Sequence, residues 1–111
     1  MPQVIQIIYE RLAEVARSKN TTTYSEVGDL VGLDMSTEVG RIRIAQILDD
    51  INWYESKENR PMLSSVVILK NANKPGAGYF DCARGLGKYQ GNDDLAFWSN
   101  ELNEVHNRWR E

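Results

Sequence analysis

Apolar residues near the start of the chain recur at intervals of three and four, the spacing that places them on one face of an α-helix. The recurring residues are Val4, Ile8, Leu12 and Val15. They predict a first helix over about residues 3–18. The segment Thr23–Glu26 then matches a capping box, in which threonine and glutamate side chains satisfy free backbone N–H groups at a helix start. A short second helix is therefore predicted to about Val31, with Gly32 as its stop.

A third helix is predicted after a cap at Ser36 or Thr37, and it extends to about Trp53. Its buried stripe is expected to consist of Val39, Ile42, Ile44, Ile47, Leu48 and Ile51. Three helices in tandem, joined by short turns, are typical of a helix-turn-helix core.

After Pro61 the helical spacing of apolar residues ends, and a continuous β-branched run predicts a covered strand over Leu63–Leu69. The segment Asn71–Gly78 (NANKPGAG) is the strongest turn signal, and it fits a hairpin tip, a wing or a loop that enters a helix. Helical spacing of apolar residues favours a short helix over residues 79–86, with a strand as the alternative. A final amphipathic helix is indicated by Leu95, Trp98, Leu102, Val105 and Trp109.

Together these elements predict one domain over residues 1–111, mainly α-helical with a small β element. The expected architecture is a winged-helix-like helix-turn-helix core over residues 3–80, closed by a C-terminal amphipathic helix over residues 92–110. Packing against the core is expected for Trp98 and Trp109, whereas Trp53 and Tyr54 are candidates for an exposed partner contact.

The composition excludes several kinds of site. Cys82 is the only cysteine and His106 the only histidine, so an intramolecular disulfide and a Cys/His metal site are excluded. Acidic residues interrupt the apolar residues at the start before signal-peptide or membrane-span length, so we expect a cytoplasmic protein without a membrane partner. No cofactor is predicted.

The 111 residues carry 13 basic and 16 acidic side chains, a net charge of −3 that opposes nonspecific attraction to a polyanion. The charge is unevenly distributed. Residues 60–91 hold five basic side chains against one acidic one, whereas residues 92–111 hold five acidic ones against two basic ones. The middle of the chain is therefore moderately basic.

Short motifs resemble the DNA-binding domain of alkylguanine-DNA alkyltransferases and alkyltransferase-like proteins. They are Thr22–Val27, Val39-Gly40, Pro61 and Val66-Val67, and the likeness covers about residues 22–80. The resemblance implies a winged helix that enters the minor groove and flips a damaged base, with Tyr24 as a phosphate contact. The strand, glycine loop and tryptophan-rich tail also resemble those of small bacterial proteins, a likeness that implies no activity.

The chain differs from the alkyltransferase family at the residues that carry out the family's reaction. The family's reactive cysteine follows the proline that Pro61 resembles, and this chain has Met62 there. Leu63 and Ser64 replace the histidine and arginine that come next, and no arginine near Thr37 props open the DNA stack. The resemblance therefore extends to a scaffold and not to alkyl transfer.

On a DNA-binding interpretation, the third helix presents Arg41 and Arg43 near its start, and Lys70 and Lys74 flank a wing. A solvated helix face is the alternative for the two arginines. The glycine loop Lys70–Gly78 also has a second interpretation, because its backbone N–H groups could face an anion at a helix start.

The spacing of a Walker motif is absent from this loop, so a tight turn is favoured, with Gly76 and Gly78 supplying positive φ angles. Cys82 has no demonstrable base beside it and is interpreted as a buried or half-buried thiol rather than a nucleophile. Solvent-facing or capping roles suffice for the polar pairs Ser64-Ser65, Asp49-Asp50 and Glu101 with Glu104.

With no catalytic constellation, the sequence predicts a non-enzymatic module that binds nucleic acid or a protein partner. The predicted contact residues are Tyr24, Arg41, Arg43, Lys70, Lys74, Gly76 and Gly78. One alternative is a small ligand- or nucleotide-binding protein or enzyme that uses the glycine loop. Another is a homodimer sealed by the aromatic terminal helix.

Overall fold

The computed structural model describes residues 2–110 and is mainly helical. In this part of the chain the α-helices span Gln3–Arg17 (α1), Tyr24–Asp29 (α2), Glu38–Lys57 (α3), Ala77–Gly85 (α4) and Asp94–Trp109 (α5). Two short strands, Thr22–Thr23 (β1) and Val67–Ile68 (β2), and a 3-10 helix at Leu63–Val66 complete its regular structure. The predicted fold class of mainly α-helix with a small β element is confirmed. No helix in residues 2–110 is both long and apolar enough to cross a membrane.

Side-chain caps fix the starts of three helices. Thr23 Oγ1 accepts a hydrogen bond from Glu26 N–H at 3.2 Å, and the Glu26 carboxylate accepts one from Thr23 N–H, so the predicted capping box opens α2. Thr37 and Asp93 cap α3 and α5 by accepting from the backbone N–H three residues further on. Local polar chemistry thus sets these helix starts.

The two strands form a parallel sheet in which Thr22 pairs with Val67 and Thr23 pairs with Ile68. This pairing brings the start of α2 beside the chain that leaves β2. Helix α3 lies between the strands in sequence and packs against the 3-10 helix and α4. Three distant parts of the chain therefore meet at one edge of the sheet, and a cleft opens there.

The main core lies between α1, α3, α5 and the 3-10 helix. Its fully buried side chains include Ile8, Leu12, Ile44, Ile47, Ile51, Leu63, Val66, Val67 and Val105. A second cluster consists of Met62, Tyr79, Phe80, Ala83 and Tyr89. Trp109 packs against the first cluster and Trp98 against the second, as expected for the closing helix.

The strand expected over Leu63–Leu69 is wrong for its first half. Residues 63–66 form the 3-10 helix, and β2 supplies the pairing to β1. The backbone here finds side-chain partners instead of a neighbouring strand, because Ser64 N–H donates to Asn52 Oδ1 at 3.2 Å and the Ser65 carbonyl oxygen accepts from Trp98 Nε1 at 2.9 Å. A buried apolar run whose polar groups are satisfied in this way does not need a sheet.

Three polar residues interpreted as solvent-facing or capping are in fact buried. Ser64, Ser65 and Glu101 have exposed fractions of 3%, 0% and 8%. Their side-chain partners are Asn52, Tyr79 and Lys88, respectively. The interpretation of these residues as surface groups is therefore wrong, since specific partners offset the cost of burying them.

The buried stripe expected on α3 is partly wrong. Its buried members are Ile44, Ile47, Leu48 and Ile51, whereas Val39 and Ile42 are 77% and 52% exposed. Gly40 faces the preceding loop so closely that a Cβ there would lie 2.1 Å from the carbonyl oxygen of Asp34. Because this contact fixes the rotation of the first turn, Val39 and Ile42 face outward.

Candidate functional site

A cleft of about 420 Å³ opens beside the two-stranded sheet. Its walls come from the start of α2, one face of α3, the 3-10 helix and the segment from β2 to α4. The parallel pairing of the strands assembles these walls, because it sets Tyr24 beside the residues that follow Ile68. The volume falls within the range of about 300–1,000 Å³ that is typical of small-molecule sites.

Most of the surface inside the cleft is apolar. The side chains with large apolar surfaces are Met35, Ile44, Leu48, Leu69 and Tyr79. Burial raises the pKa of Tyr79 far above its ordinary value, and a hydrogen bond of 2.7 Å joins its hydroxyl to Ser65 Oγ. A ligand that displaces water from these carbon atoms gains most if it carries an apolar group.

Tyr24 connects α2 to the glycine segment at the cleft. Its hydroxyl oxygen accepts a hydrogen bond from Gly76 N–H at 2.9 Å. Burial raises the pKa of Tyr24, so the hydroxyl keeps its own proton at neutral pH. A protonated hydroxyl that accepts one hydrogen bond can still donate another. Tyr24 therefore offers a donor to a ligand in the cleft.

Asn52 organises the polar end of the cleft and is 1% exposed. Its Nδ2 donates to Ser64 Oγ at 2.8 Å, and its Oδ1 accepts from Ser64 N–H at 3.2 Å. The same Nδ2 lies 3.8 Å from Cys82 Sγ. Since Ser64 Oγ accepts from Asn52, the proton of that hydroxyl is directed to a different partner, and Ser64 becomes a second donor for a ligand.

Asp49 lies one turn before Asn52 on α3 and places a carboxyl group at the cleft. Burial raises its pKa, an effect that a hydrogen bond with Cys82 opposes and the charges of Asp50 and Asp81 reinforce. The pKa of Cys82 is raised to about 11, first by burial and then by the charge of Asp49. Only about one thiol in ten thousand is then ionised at pH 7. Cys82 is thus a half-buried thiol, as expected, and its surroundings disfavour the thiolate form.

Five of the seven predicted contact residues line this cleft, namely Tyr24, Arg41, Lys70, Gly76 and Gly78. Arg43 and Lys74 are exposed and lie outside it. The two arginines diverge because two residues along an α-helix turn by about 200°. Arg41 also donates to the carbonyl oxygen of Met35 at 3.1 Å, which holds it beside the cleft. Cations therefore reach the cleft from α3 through Arg41 and from the segment after β2 through Lys70.

The positive φ angles expected at Gly76 and Gly78 are wrong. Gly76 has a φ of −74° as the N-cap of α4, and Gly78 lies within that helix. The left-handed residue in this segment is Asn73, with a φ of 50°. A hydrogen bond from Leu69 N–H to the carbonyl oxygen of Lys74, at 2.8 Å, closes the turn. The NANKPGAG segment is therefore a tight turn followed by a loop into a helix, and the short helix favoured over residues 79–86 is confirmed as α4.

Sequence reasoning did not assign three polar residues of the cleft to a binding site, namely Asp49, Asn52 and Ser64. The sequence contains one signal for the cleft residues on α3. The lining residues Arg41, Ala45, Leu48 and Asn52 recur at intervals of four and three, which places them on one helix face. This second face of α3 runs beside the apolar stripe that dominates the pattern. Ser64 carries no such signal, since its role depends on contact with Asn52 on another element.

Met62 stands where the resembled alkyltransferases have their reactive cysteine. It is 1% exposed and packs in the second core cluster with Tyr79 and Phe80. Ser64, two residues later, lines the cleft. The position therefore serves packing, and the cleft receives a hydroxyl group from this segment rather than a thiol.

Comparisons with protein-family models, with curated proteins and with solved structures find no match to this chain. Within residues 2–110, no group of three or more histidine, cysteine, aspartate or glutamate side chains is placed to hold a metal ion. The chemistry of the cleft itself is the basis for a functional proposal.

Proposed function

We propose that this chain is a nucleic-acid-binding module of winged-helix type whose cleft accepts one unstacked base. The observation that carries the proposal is the convergence of Tyr24, Arg41 and Lys70 on a cleft with an apolar interior. An unstacked base needs carbon-rich surface against its faces and hydrogen-bonding groups at its edge. The edge groups on this proposal are Tyr24, Ser64 and Asp49, and the two cations face the flanking phosphates.

The order of the elements supports the winged-helix assignment. Helix α1, strand β1, helices α2 and α3 and strand β2 follow one another, and a tight turn over residues 69–74 takes the position of a wing. The resemblance of residues 22–80 to alkyltransferase DNA-binding domains favours the same assignment. On this proposal, α3 presents its Arg41 side to nucleic acid, and Met62 excludes alkyl transfer by the family's route.

Electrostatics set the expected strength of binding. The chain has a net charge of −3, and the cations that line the cleft are Arg41 and Lys70. Neutralising about two phosphates gives a slope of roughly −1.8 for log K against log salt on duplex DNA, and roughly −1.4 on single strands. We therefore expect micromolar binding at low salt that weakens gently as the salt concentration rises.

Fluorescence anisotropy with labelled oligonucleotides tests the proposal. The probes are a duplex with one unpaired base, its fully paired counterpart and a single strand of the same sequence. We expect the fully paired duplex to bind most weakly, because none of its bases is free to enter the cleft. Arg41→Ala and Lys70→Ala should each weaken binding of the unpaired-base probe at least about fivefold.

Arg43→Ala and Lys74→Ala are matched controls, because each removes the same kind of charge outside the cleft. They should change affinity less than about twofold. Thermal melting of Arg41→Ala checks that loss of its bond to Met35 leaves the fold intact. Equal losses for the cleft and control variants would show diffuse attraction and contradict the cleft as the binding site.

A second candidate function is binding of a free small molecule, such as a nucleotide. The mostly apolar lining of the cleft favours this second function. A small ligand gains affinity by burying apolar surface there and does not need a nucleic-acid backbone to do so. Thermal-shift measurements with nucleoside monophosphates distinguish the two. A shift that Ser64→Ala abolishes, together with no oligonucleotide binding at low salt, would replace the first proposal with the second.

A further inference from the structure

Helix α3 has three faces with different surroundings. One face enters the core through residues such as Ile47 and Ile51, and a second lines the cleft from Arg41 to Asn52. The third face is exposed along its length and consists of Val39, Ile42, Arg43, Gln46, Asp50 and Trp53. At 100° per residue these six side chains fall within a stripe about 100° wide. We refer to them as the α3 stripe.

The α3 stripe is unusually apolar for an exposed surface. Val39, Ile42 and Trp53 are 77%, 52% and 53% exposed. Apolar residues aligned on one helix face, rather than scattered singly, are typical of a surface that another helix covers. Helix α5 does not meet this need, since its tryptophans already pack within the chain.

The order of charges along the stripe indicates which helix fits. Gln46 lies at its centre, with Val39 seven residues before it and Trp53 seven residues after it. At 1.5 Å per residue, both apolar ends lie about 10.5 Å from the centre, while Arg43 and Asp50 lie about 4.5 Å and 6 Å from it on opposite sides. The stripe therefore has matching apolar ends and opposite charges between them.

We propose that the α3 stripe binds the same stripe of a second copy of this chain, with the two helices antiparallel about a two-fold axis at Gln46. In this arrangement Val39 of each copy meets Trp53 of the other, and Arg43 of each copy lies beside Asp50 of the other. A parallel pair sets Arg43 against Arg43 and Asp50 against Asp50. The charges thus favour the antiparallel pair, which is self-complementary as a two-fold interface must be.

The dimer is compatible with the proposed function but does not rest on it. The stripe and the cleft use different faces of α3, so two copies joined through the stripe leave both clefts open. One helix pair buries less than the roughly 800 Å² per partner of a standard interface. We therefore expect a reversible dimer with a dissociation constant in the micromolar range.

Sedimentation velocity over a concentration range of roughly 10 µM to 1 mM measures the association. Arg43→Glu leaves each stripe with two acidic residues, and Asp50→Arg leaves each with two basic residues. Either variant alone should dimerise at least about tenfold more weakly, because like charges then face each other. An equimolar mixture of the two should regain the wild-type association, since every acidic residue again faces a basic one.

Lys74→Glu makes the same change in net charge as Arg43→Glu but lies off α3, and it should leave association unchanged. Trp53→Ala should weaken association without lowering the helix content measured by circular dichroism. A chain that stays monomeric across the whole range would overturn the proposal. So would a dimer that both charge reversals leave intact, or a mixture of the two variants that fails to associate.

Discussion

Asp49 lines the cleft and interacts with Cys82, and a direct test of that interaction is possible. Because the charge of Asp49 adds to burial in raising the pKa of Cys82 to about 11, Asp49→Asn should lower that pKa. The rate of thiol alkylation at pH 8 should then rise several-fold, as the thiolate is the reacting form. Asp50→Asn removes the same charge one residue away and is the control. Equal acceleration in both variants would show that the effect is not specific to Asp49.

Some residues of the cleft can be predicted from the sequence, and others cannot. The contact at Tyr24 is predicted by the resemblance of residues 22–27 to alkyltransferase DNA-binding domains, and the contact at Arg41 by its place near the start of the third helix, because both signals lie in the local sequence. Asn52 and Ser64 depend instead on a contact between two elements. A polar residue inside an apolar run is interpreted as exposed unless its partner is known, and that partner is a tertiary contact.

The helices are predictable because each has its own apolar period and, for α2 and α3, a cap beside it. The segment 63–66 is not, since the β-branched run Val66–Ile68 that follows it favours a strand, while the burial of 63–66 comes from contacts with α1, α3 and α5. The outward turn of Val39 is likewise set by packing of Gly40 against a loop. In both places tertiary contacts, rather than the preference of the local sequence, set the conformation.

The end of α3 is tied to α1 by Glu55, which is fully buried although the sequence places it among polar residues. Its carboxylate accepts from Tyr9 Oη at 2.6 Å and from Arg60 Nε and Nη2 at 3.0 Å each. Glu55→Ala leaves the Arg60 charge without this partner and should lower the free energy of unfolding by about 3 kcal/mol or more. Urea denaturation measures the change.

Glu58→Ala is the matched control for this element. Glu58 is half exposed and lies 4.0 Å from Arg60, so its loss should cost less than about 0.5 kcal/mol. Similar costs for the two variants would mean that Glu55 does not anchor α3 to α1.

For the whole molecule, the decisive contact is the parallel pairing of residues 22–23 with residues 67–68. Two strands of two residues each carry too little pattern to be paired from sequence, and their separation of 45 residues hides the contact further. The pairing nevertheless brings the start of α2 to Lys70 and Gly76 and so creates the cleft. The helices could therefore be predicted singly, whereas the site depends on how they are assembled.

The burial of Tyr79 in the folded chain makes the stability of the fold sensitive to alkaline pH. Burial raises the pKa of Tyr79 above its unfolded value of 10.0. Below pH 10 the tyrosine is protonated in both states, so it contributes no pH dependence. As the pH rises above 10 the unfolded chain loses this proton while the folded chain keeps it, and the free energy of unfolding falls by up to about 1.4 kcal/mol per pH unit.

Two variants separate this ionisation from the hydrogen bond that Tyr79 shares with Ser65. At pH 8, Tyr79→Phe and Ser65→Ala should each reduce the free energy of unfolding by about 1 kcal/mol, because both lose that bond. In urea denaturation at pH 11, the deficit of Tyr79→Phe should shrink or reverse, since the wild type now bears the ionisation cost and the variant does not. The deficit of Ser65→Ala should persist, because its tyrosine still ionises on unfolding. Parallel behaviour of the two variants across this pH range would show that Tyr79 is not the group that couples folding to alkaline pH.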